Sequence, residues 1–292
     1  MLLNELLNEY LLELSIRNCS KHTIKSYRNN LKRFISYLGN IELEKTTSTH
    51  IKQYIAHLQS LGRKGTYINT ILKQLRGLFT YAYEEEYISI NIVSKIKWVK
   101  EITPVIKTFT EEELKKMLNY YKGKDYLSIR NKLIIYLLAD LGIRANEAIN
   151  ITLEDIKGNS ILIHGKGGKD RVLFISQPLE KLLMKYLRVR KAHIKDKDTN
   201  YLLVSIRRHK LTVETIEEIC RELTPLARKE IRVSPHTFRH TYAQLCLKNG
   251  LDVYVISRLL GHTSINMTRR YLNSLPHEEI AKMAISPISF IK

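Results

Sequence analysis

The first hundred residues repeat apolar positions with the period of an α-helix. Leucines recur at this spacing between Leu3 and Leu14, and Ser20 stands where an N-cap is expected before the next apolar series. The apolar positions of three further series are Tyr27, Leu31, Phe34, Ile35 and Leu38, then Ile51, Tyr54, Ile55 and Leu58, then Ile68, Ile71, Leu72, Leu75, Leu78 and Phe79. Four amphipathic helices with short connections predict a bundle over residues 1–98.

The helical period breaks after this bundle, where a proline and several lysines interrupt it. We therefore predict an interdomain linker over residues 99–109. Thr110 followed by Glu113 has the pattern of a capping box, which starts a new helix. A second domain is therefore predicted over residues 110–292.

The second domain is predicted to be mainly helical with one β insert. An apolar helix from Ile129 to Leu141 ends at Gly142. Two β-branched runs, residues 161–164 and 171–175, flank a glycine-rich stretch and predict a hairpin. Further helices are expected over residues 179–190, 213–226, 237–248 and 253–260, in a segment capped by Ser264 that carries Tyr271, and in a short tail helix from Pro276. The expected fold is therefore mainly α, with a four-helix domain and a mixed α+β domain.

The charge of the chain indicates its partner. Lys and Arg number 48 against 29 Asp and Glu, which gives a formal net charge of +19. The first 100 residues hold 15 basic and 8 acidic residues, a net +7, and the rest holds 33 and 21, a net +12. Basic charge on both parts favours two surfaces around one polyanion, so we expect a nucleic-acid partner.

Other features of the sequence narrow the class of protein. The three cysteines form no close pair, and no apolar run is long enough to span a bilayer. We therefore expect a protein of the reducing cytoplasm without membrane insertion. The absence of a glycine-rich nucleotide loop and of paired acidic metal ligands disfavours a nucleotide-driven enzyme or a magnesium-dependent nuclease.

Several residues of the second domain are suited to chemistry on a phosphodiester. Attack by a phenol oxygen passes through a pentavalent state with extra negative charge, which fixed donors must stabilise. Arg144 and Arg239 are our candidates for these donors, because guanidinium groups form paired hydrogen bonds and stay charged. His236 can accept the phenol proton, His262 can bond a phosphoryl oxygen, and Tyr271 can be the nucleophile.

The 5′ oxygen that leaves needs a proton, which a lysine on the hairpin can supply. Lys166 and Lys169 both lie in the glycine-rich turn, and the residues alone leave open which is the general acid and which grips phosphate. Glu147, one turn after Arg144, is expected to orient that arginine. The residues expected to contact DNA are Lys25, Arg28, Lys32, Lys169 and Arg171. Solvated surface charges are the alternative for those on the bundle.

A zinc site is the competing interpretation of the histidines. His236 and His240 are four residues apart, as in a zinc-binding helix, and His262 can be a third ligand. However, no glutamate follows His236, and Arg239 would direct a positive charge at the ion. We therefore expect no metal and no cofactor, with His240 a buried structural residue.

Taken in order, these motifs resemble the tyrosine recombinase family. They are Arg144 in Gly-Ile-Arg-Ala-Asn-Glu, Lys166 in Gly-Lys-Gly-Gly-Lys-Asp-Arg, His236 and Arg239 in Ser-Pro-His-Thr-Phe-Arg-His, His262 in Leu-Leu-Gly-His, and Tyr271. The resemblance covers nearly the whole chain. Residues 1–98 look like the helical, SAM-like core-binding domain of that family, and residues 110–292 like its catalytic domain.

The resemblance implies a reaction and an assembly. Tyr271 would attack the scissile phosphate, leaving a 3′-phosphotyrosyl link and a 5′ hydroxyl, with Lys166 as the acid. Strands would rejoin through a Holliday junction, without ATP or divalent metal. Four protomers would assemble on two double-stranded DNA sites, as a homotetramer or with a paralogue. The C-terminal tail would dock on a neighbouring protomer or on its own domain.

The plan of the chain, which starts with the core-binding helices, resembles Xer-type recombinases. These resolve chromosome or plasmid dimers, so we expect a nucleoid-associated cytoplasmic protein linked to chromosome partition and cell division. A phage or transposon integrase shares this plan and stays open. Two alternatives belong to other classes: a type IB topoisomerase, and a non-catalytic helix-turn-helix protein formed by residues 253–260 and 264–271.

Overall fold

The computed structural model describes residues 1–101, 106–165, 168–195, 199–262 and 264–272. The chain divides into two compact units, Met1–Pro104 and Val105–Lys292. Separate apolar clusters fill the two units. The domain limits drawn from the sequence, with their linker, stay a prediction.

The first unit is the four-helix bundle that the apolar period predicts. Its helices are α1 (Leu3–Ile16), α2 (Lys21–Leu38), α3 (Ser48–Ser60) and α4 (Gly65–Glu84). Ser20 caps α2 by accepting the Thr23 N–H, and Gly39 ends it in the left-handed region at φ 83°. The leucines of α1 and the aromatic rings of α2 and α4 are buried together, which confirms the predicted core of the bundle.

The second unit is mainly helical, as predicted, with a small antiparallel sheet. Its helices are α5 (Glu111–Leu118), α6 (Tyr126–Leu141), α7 (Ala145–Asn150), α8 (Gln177–Ile194), α9 (Val213–Glu222), α10 (Pro235–Lys248), α11 (Val253–Leu260) and α12 (Ile265–Leu272). Strands β1 (Ile156–Lys157), β2 (Ser160–Ile163) and β3 (Arg171–Phe174) follow the order β1-β2-β3. The hairpin is confirmed as β2 and β3, whereas α7 and β1 are too short to leave a periodic signal. The predicted tail helix lies outside the described residues.

Helix α10 is the centre around which the candidate residues gather. It packs against α6, α11 and α12. Gly142 ends α6 at φ 58° and Gly261 ends α11 at φ 64°, so both turns present backbone carbonyls close to α10. A Cβ atom on Gly142 would lie 2.5 Å from the Tyr242 ring, so only glycine fits there. None of the helices in the described ranges combines the length and the apolar character needed to cross a bilayer.

Candidate active site

Arg144 is held in place by the first turn of α7. It is the N-cap of that helix, and its backbone N–H donates to Glu147 Oε2 at 2.9 Å. Its Nη1 donates to Glu147 Oε1 at 2.7 Å, and its Nη2 to the carbonyl of Gly261 at 3.4 Å. The structure thus gives Glu147 the orienting contact with Arg144 that the sequence predicts.

Arg239 reaches the same place from α10. Only 4% of it is exposed, and its guanidinium donates to the carbonyls of Gly142 at 2.8 Å and Leu260 at 2.6 Å. Because the Arg144 guanidinium bonds the next carbonyl, that of Gly261, the two groups converge on one turn of backbone. Burial and the Arg144 charge lower the Arg239 pKa to about 10, which leaves the side chain charged at neutral pH.

Arg171 is largely buried, and its predicted role as a DNA contact stays a prediction. Its side chain is 9% exposed and donates from Nη1 and Nη2 to Glu147, at 3.2 and 2.8 Å. Its Nε donates to the carbonyl of Leu259 at 2.6 Å. Arg171 pairs with Ile163 across the hairpin, on the inward face that also holds Leu173. The period-2 alternation of β3 was the available signal for this burial.

The cluster of Arg144, Arg171, Arg239 and Glu147 carries a net positive charge. Burial alone would raise the pKa of Glu147, but the Arg171 and Arg144 hydrogen bonds hold it below its ordinary value, so this carboxylate is ionised. Arg144 and Arg171 bond this carboxylate and Arg239 bonds backbone carbonyls, so two positive charges are uncompensated among these four side chains. Such a cluster is suited to an anion with several oxygens, such as a phosphodiester.

The two histidines predicted for the site are uncharged at neutral pH. Burial and the charges of Arg239 and Arg144 lower the pKa of His262 to about 4, and its Nδ1 lies 2.7 Å from Thr268 Oγ1. His236 lies on the exposed face of the first turn of α10. Partial enclosure of its ring and the same two arginines lower its pKa. Both rings therefore add hydrogen-bonding atoms without further charge.

Tyr271 lies against this cluster on α12 and is 3% exposed. Its ring stacks on His262 with centroids 6.3 Å apart and planes at 15°. Its hydroxyl lies 3.0 Å from His240 Nδ1. Burial raises the pKa of Tyr271, while the charges of Arg239, Arg270 and Arg144 act in the opposite direction. The sequence interpretation of His240 as merely structural misses this contact, although its position one turn after His236 puts both on one face.

Of the two candidate lysines, the structure describes only Lys169. Lys166 lies outside the described residues, so the structure does not bear on it. Lys169 is exposed and lines a groove of about 480 Å³ together with Tyr254, Arg258 and His262. This groove joins the hairpin to the His262 side of the cluster. Lys169 is therefore on the correct side of the unit for either of its predicted roles.

The basic residues predicted to contact DNA from the first unit are exposed along α2. Lys25 and Arg28 line a groove of about 690 Å³ between α1 and α2. Lys32 follows one turn after Arg28 on the same side of the helix. The first unit thus presents a short row of cations, and their role in DNA binding stays a prediction.

The zinc interpretation finds no support in the geometry. Across the described ranges, no group of three or more His, Cys, Asp or Glu side chains is arranged to hold a metal ion. His240 instead contacts Tyr271, and His262 contacts Thr268. Each of these nitrogens has a hydroxyl as its partner.

Comparisons with known proteins indicate the family of this chain. Residues 107–278 match the phage integrase family, and residues 7–86 match the phage integrase N-terminal SAM-like domain. Tyrosine recombinase XerA of Pyrococcus furiosus is 33% identical over 274 residues, which cover 92% of this chain and 89% of that protein.

Solved structures show the same fold. The XerH site-specific recombinase bound to palindromic difH substrate has a TM-score of 0.77 at 23% identity, covering 91% of this chain and 80% of that one. A lambda integrase tetramer bound to a Holliday junction has a TM-score of 0.74 at 19% identity, covering 93% and 77%. The family match over more than half of the chain and the similarity to XerA identify the class. The chain therefore belongs to the phage integrase family: it is a tyrosine recombinase, similar in sequence to the Xer-type site-specific recombinases.

Proposed function

We propose that this recombinase cleaves and rejoins DNA through a covalent link between Tyr271 and a 3′ phosphate. One observation carries the proposal: the Tyr271 ring stacks on His262, which directly follows the two adjacent carbonyls, of Leu260 and Gly261, that Arg239 and Arg144 bond. The arginine cluster has the net positive charge that a pentavalent phosphorane requires. The same site residues match the family pattern one by one along the sequence.

The two arginines hold the non-bridging oxygens of the scissile phosphate. Each guanidinium has five N–H donors, and the carbonyl and carboxylate bonds described above fix the plane of each fork. Arg171 acts through Glu147 and is a positioning residue. His262 and His236 add neutral hydrogen-bonding groups beside the phosphate, so that charge is stabilised without further like-charge repulsion.

The reaction proceeds by two transesterifications. Tyr271 attacks phosphorus and gives its phenolic proton to a histidine of the site, the phosphotyrosyl bond forms, and the 5′ oxygen leaves with a proton from Lys166, or from Lys169 if the general acid is that lysine. The 5′ hydroxyl of a partner strand then attacks the link and returns its proton to the lysine, and Tyr271 leaves with the proton that the histidine held. Bond energy is kept in the phosphotyrosine, so the chemistry needs neither ATP nor a divalent metal.

The proposed substrate is a double-stranded recombination site, which a core-binding domain over residues 1–98 and a catalytic domain over residues 110–292 both contact. Exposed cations of α2, Lys25, Arg28 and Lys32, support contact with the backbone. A tetramer on a Holliday junction is the form reported for the lambda integrase neighbour. Similarity to Xer proteins favours resolution of chromosome or plasmid dimers in the cytoplasm, with mobile-element integration as the second candidate.

The test is covalent capture of DNA. Duplexes bound by the protein are selected from a randomised library, and the recovered site is rebuilt with a nick beside the cleavage position. The unaltered protein should form an adduct that survives denaturation, and Tyr271→Phe should form none. Tyr120→Phe, at an exposed tyrosine that follows α5, is the matched control and should keep the adduct. Specific binding without any adduct would instead support the helix-turn-helix alternative.

Relaxation of supercoiled plasmid separates the remaining alternative. A type IB topoisomerase would relax plasmid without a recombination site and without pairing two sites. We expect exchange between two recovered sites in the presence of EDTA. If the protein relaxes plasmid that lacks the site and exchanges no strands between two recovered sites, its activity is that of a topoisomerase, which would contradict the proposed recombination.

A further inference from the structure

The hydroxyl of Tyr271 has a specific partner on α10. His240 Nδ1 lies 3.0 Å from the phenolic oxygen, and the two ring centroids are 5.4 Å apart with planes at 59°. A histidine nitrogen at this distance from a phenol is within range of direct proton transfer. His240 follows Arg239 in sequence, so one stretch of α10 presents both a phosphate-directed cation and this imidazole.

The surroundings of His240 keep its ring unprotonated. Burial and the neighbouring His236, Arg239 and Arg270 side chains lower its pKa to about 4. These groups come from α10 itself and from α12, which also carries Tyr271. At neutral pH the ring is therefore neutral, and in the tautomer with the proton on Nε2 its Nδ1 is an acceptor. The hydrogen bond then runs from the tyrosine hydroxyl to His240.

We propose that His240 is a further catalytic residue: it, and not the sequence candidate His236, is the base that takes the proton from the Tyr271 hydroxyl during strand cleavage. The inference rests on the proposed function and extends it. As the bond between Oη and phosphorus forms, the phenolic proton moves to Nδ1, and the 5′ oxygen leaves with a proton from the general acid. In the rejoining step the tyrosine oxygen leaves phosphorus and recovers the proton from His240.

Entry of DNA makes this transfer easier. A phosphodiester bound to Arg144 and Arg239 brings negative charge next to Arg239, whose own charge helps to keep His240 neutral. The electrostatic penalty on a protonated imidazole falls accordingly, so the basicity of His240 rises when substrate is present. The His240 ring therefore carries a single proton before DNA binds, and it can accept a second proton once DNA is bound.

The test uses His240→Asn and a more acidic phenol at position 271. Asparagine keeps an amide oxygen that accepts a hydrogen bond but takes up no proton at neutral pH. Single-turnover adduct formation on the nicked recovered site should slow about 10²-fold, with DNA affinity unchanged. Difluorotyrosine in place of Tyr271 should then restore much of the rate in His240→Asn, because a more acidic phenol depends less on a base. Difluorotyrosine should change the rate of adduct formation far less in the protein that keeps His240.

Controls keep this outcome separate from folding and from the proposed function. His236→Asn is the matched variant one turn earlier, and it should gain no special benefit from difluorotyrosine. His240→Gln provides a second non-basic side chain of larger size. An unslowed His240→Asn, or rescue by difluorotyrosine confined to His236→Asn, would overturn the inference while leaving the Tyr271 adduct intact. Failure of the unaltered protein to form any Tyr271 adduct would instead remove the proposed function.

Discussion

Replacement of Glu147 tests how the arginine cluster is assembled. Its carboxylate accepts 2.7 and 2.9 Å bonds from Arg144 and 2.8 and 3.2 Å bonds from Arg171. The Arg171 side chain is 9% exposed, so loss of the Glu147 carboxylate would leave the Arg171 charge unpaired and poorly hydrated. Breaking a buried ion pair on one side costs about 3–5 kcal/mol. Because glutamine keeps one oxygen and the same length, we expect Glu147→Gln to lower the free energy of unfolding by about 3 kcal/mol.

Glu113 is the matched control within the same unit. It is also a buried capping-box glutamate, and it accepts from the Thr110 N–H at 2.8 Å and from Arg228 Nε at 3.0 Å. The Arg228 side chain is 48% exposed and can be solvated when its partner is lost. Glu113→Gln should therefore cost only about 1 kcal/mol. Denaturant unfolding at neutral pH measures both losses. Equal losses, or a smaller loss for Glu147→Gln, would show that Arg171 does not depend on Glu147 for its charge compensation.

The pH dependence of the same comparison has a definite sign. The folded pKa of Glu147 is lower than its ordinary value of 4.5, because the two arginines outweigh its burial. The stabilisation by the carboxylate is therefore complete above that ordinary value and is lost as the pH falls through the folded pKa. The difference in unfolding free energy between Glu147→Gln and the unaltered protein should shrink in acid. A difference that grows in acid would contradict an ionised, arginine-bound carboxylate.

Three further predictions concern other parts of the chain. Gly142→Ala combines a positive φ with a clash against a tyrosine ring, whereas Gly39→Ala has a positive φ in open space. Gly142→Ala should therefore lower the free energy of unfolding by about 2 kcal/mol more than Gly39→Ala, and equal losses in thermal unfolding would contradict this. Bonds to two aspartates raise the pKa of His164. The stabilisation by protonated His164 should therefore be present below pH 6.5, the ordinary pKa, and fade as the pH rises through the folded pKa. The difference in Tm from His164→Gln measures this, and a difference that grows with pH would contradict it. Lys25→Gln should reduce the slope of log binding constant against log salt by about 0.9, and an unchanged slope would exclude a phosphate contact.

Local signals in the sequence predict the elements of this fold well. Apolar spacing gives the four helices of the first unit, and Ser20 and Gly142 mark helix ends because their contacts are with neighbours in the chain. The β2–β3 hairpin follows from two β-branched runs around glycines. Six-residue α7 and two-residue β1 have no repeated period, so tertiary contacts alone define them.

The sequence predicts which residues form the candidate site better than it predicts how these residues are arranged in space. Residue chemistry and order single out Arg144, Arg239 and Tyr271, but no spacing shows that distant side chains share one turn of backbone. The inward position of Arg171 depends on which face of β3 is buried. The contact of His240 with the tyrosine hydroxyl depends on how α12 packs against α10, which is a property of the folded unit.

Identification of the residue that becomes linked to DNA tests the central claim most directly. The denatured adduct with the nicked recovered site is digested with protease and nuclease, and the modified peptide is fragmented in a mass spectrometer. We expect a nucleotide attached through a 3′ phosphate to the oxygen of Tyr271. A nucleotide attached to any other side chain, with Tyr271 unmodified, would contradict it.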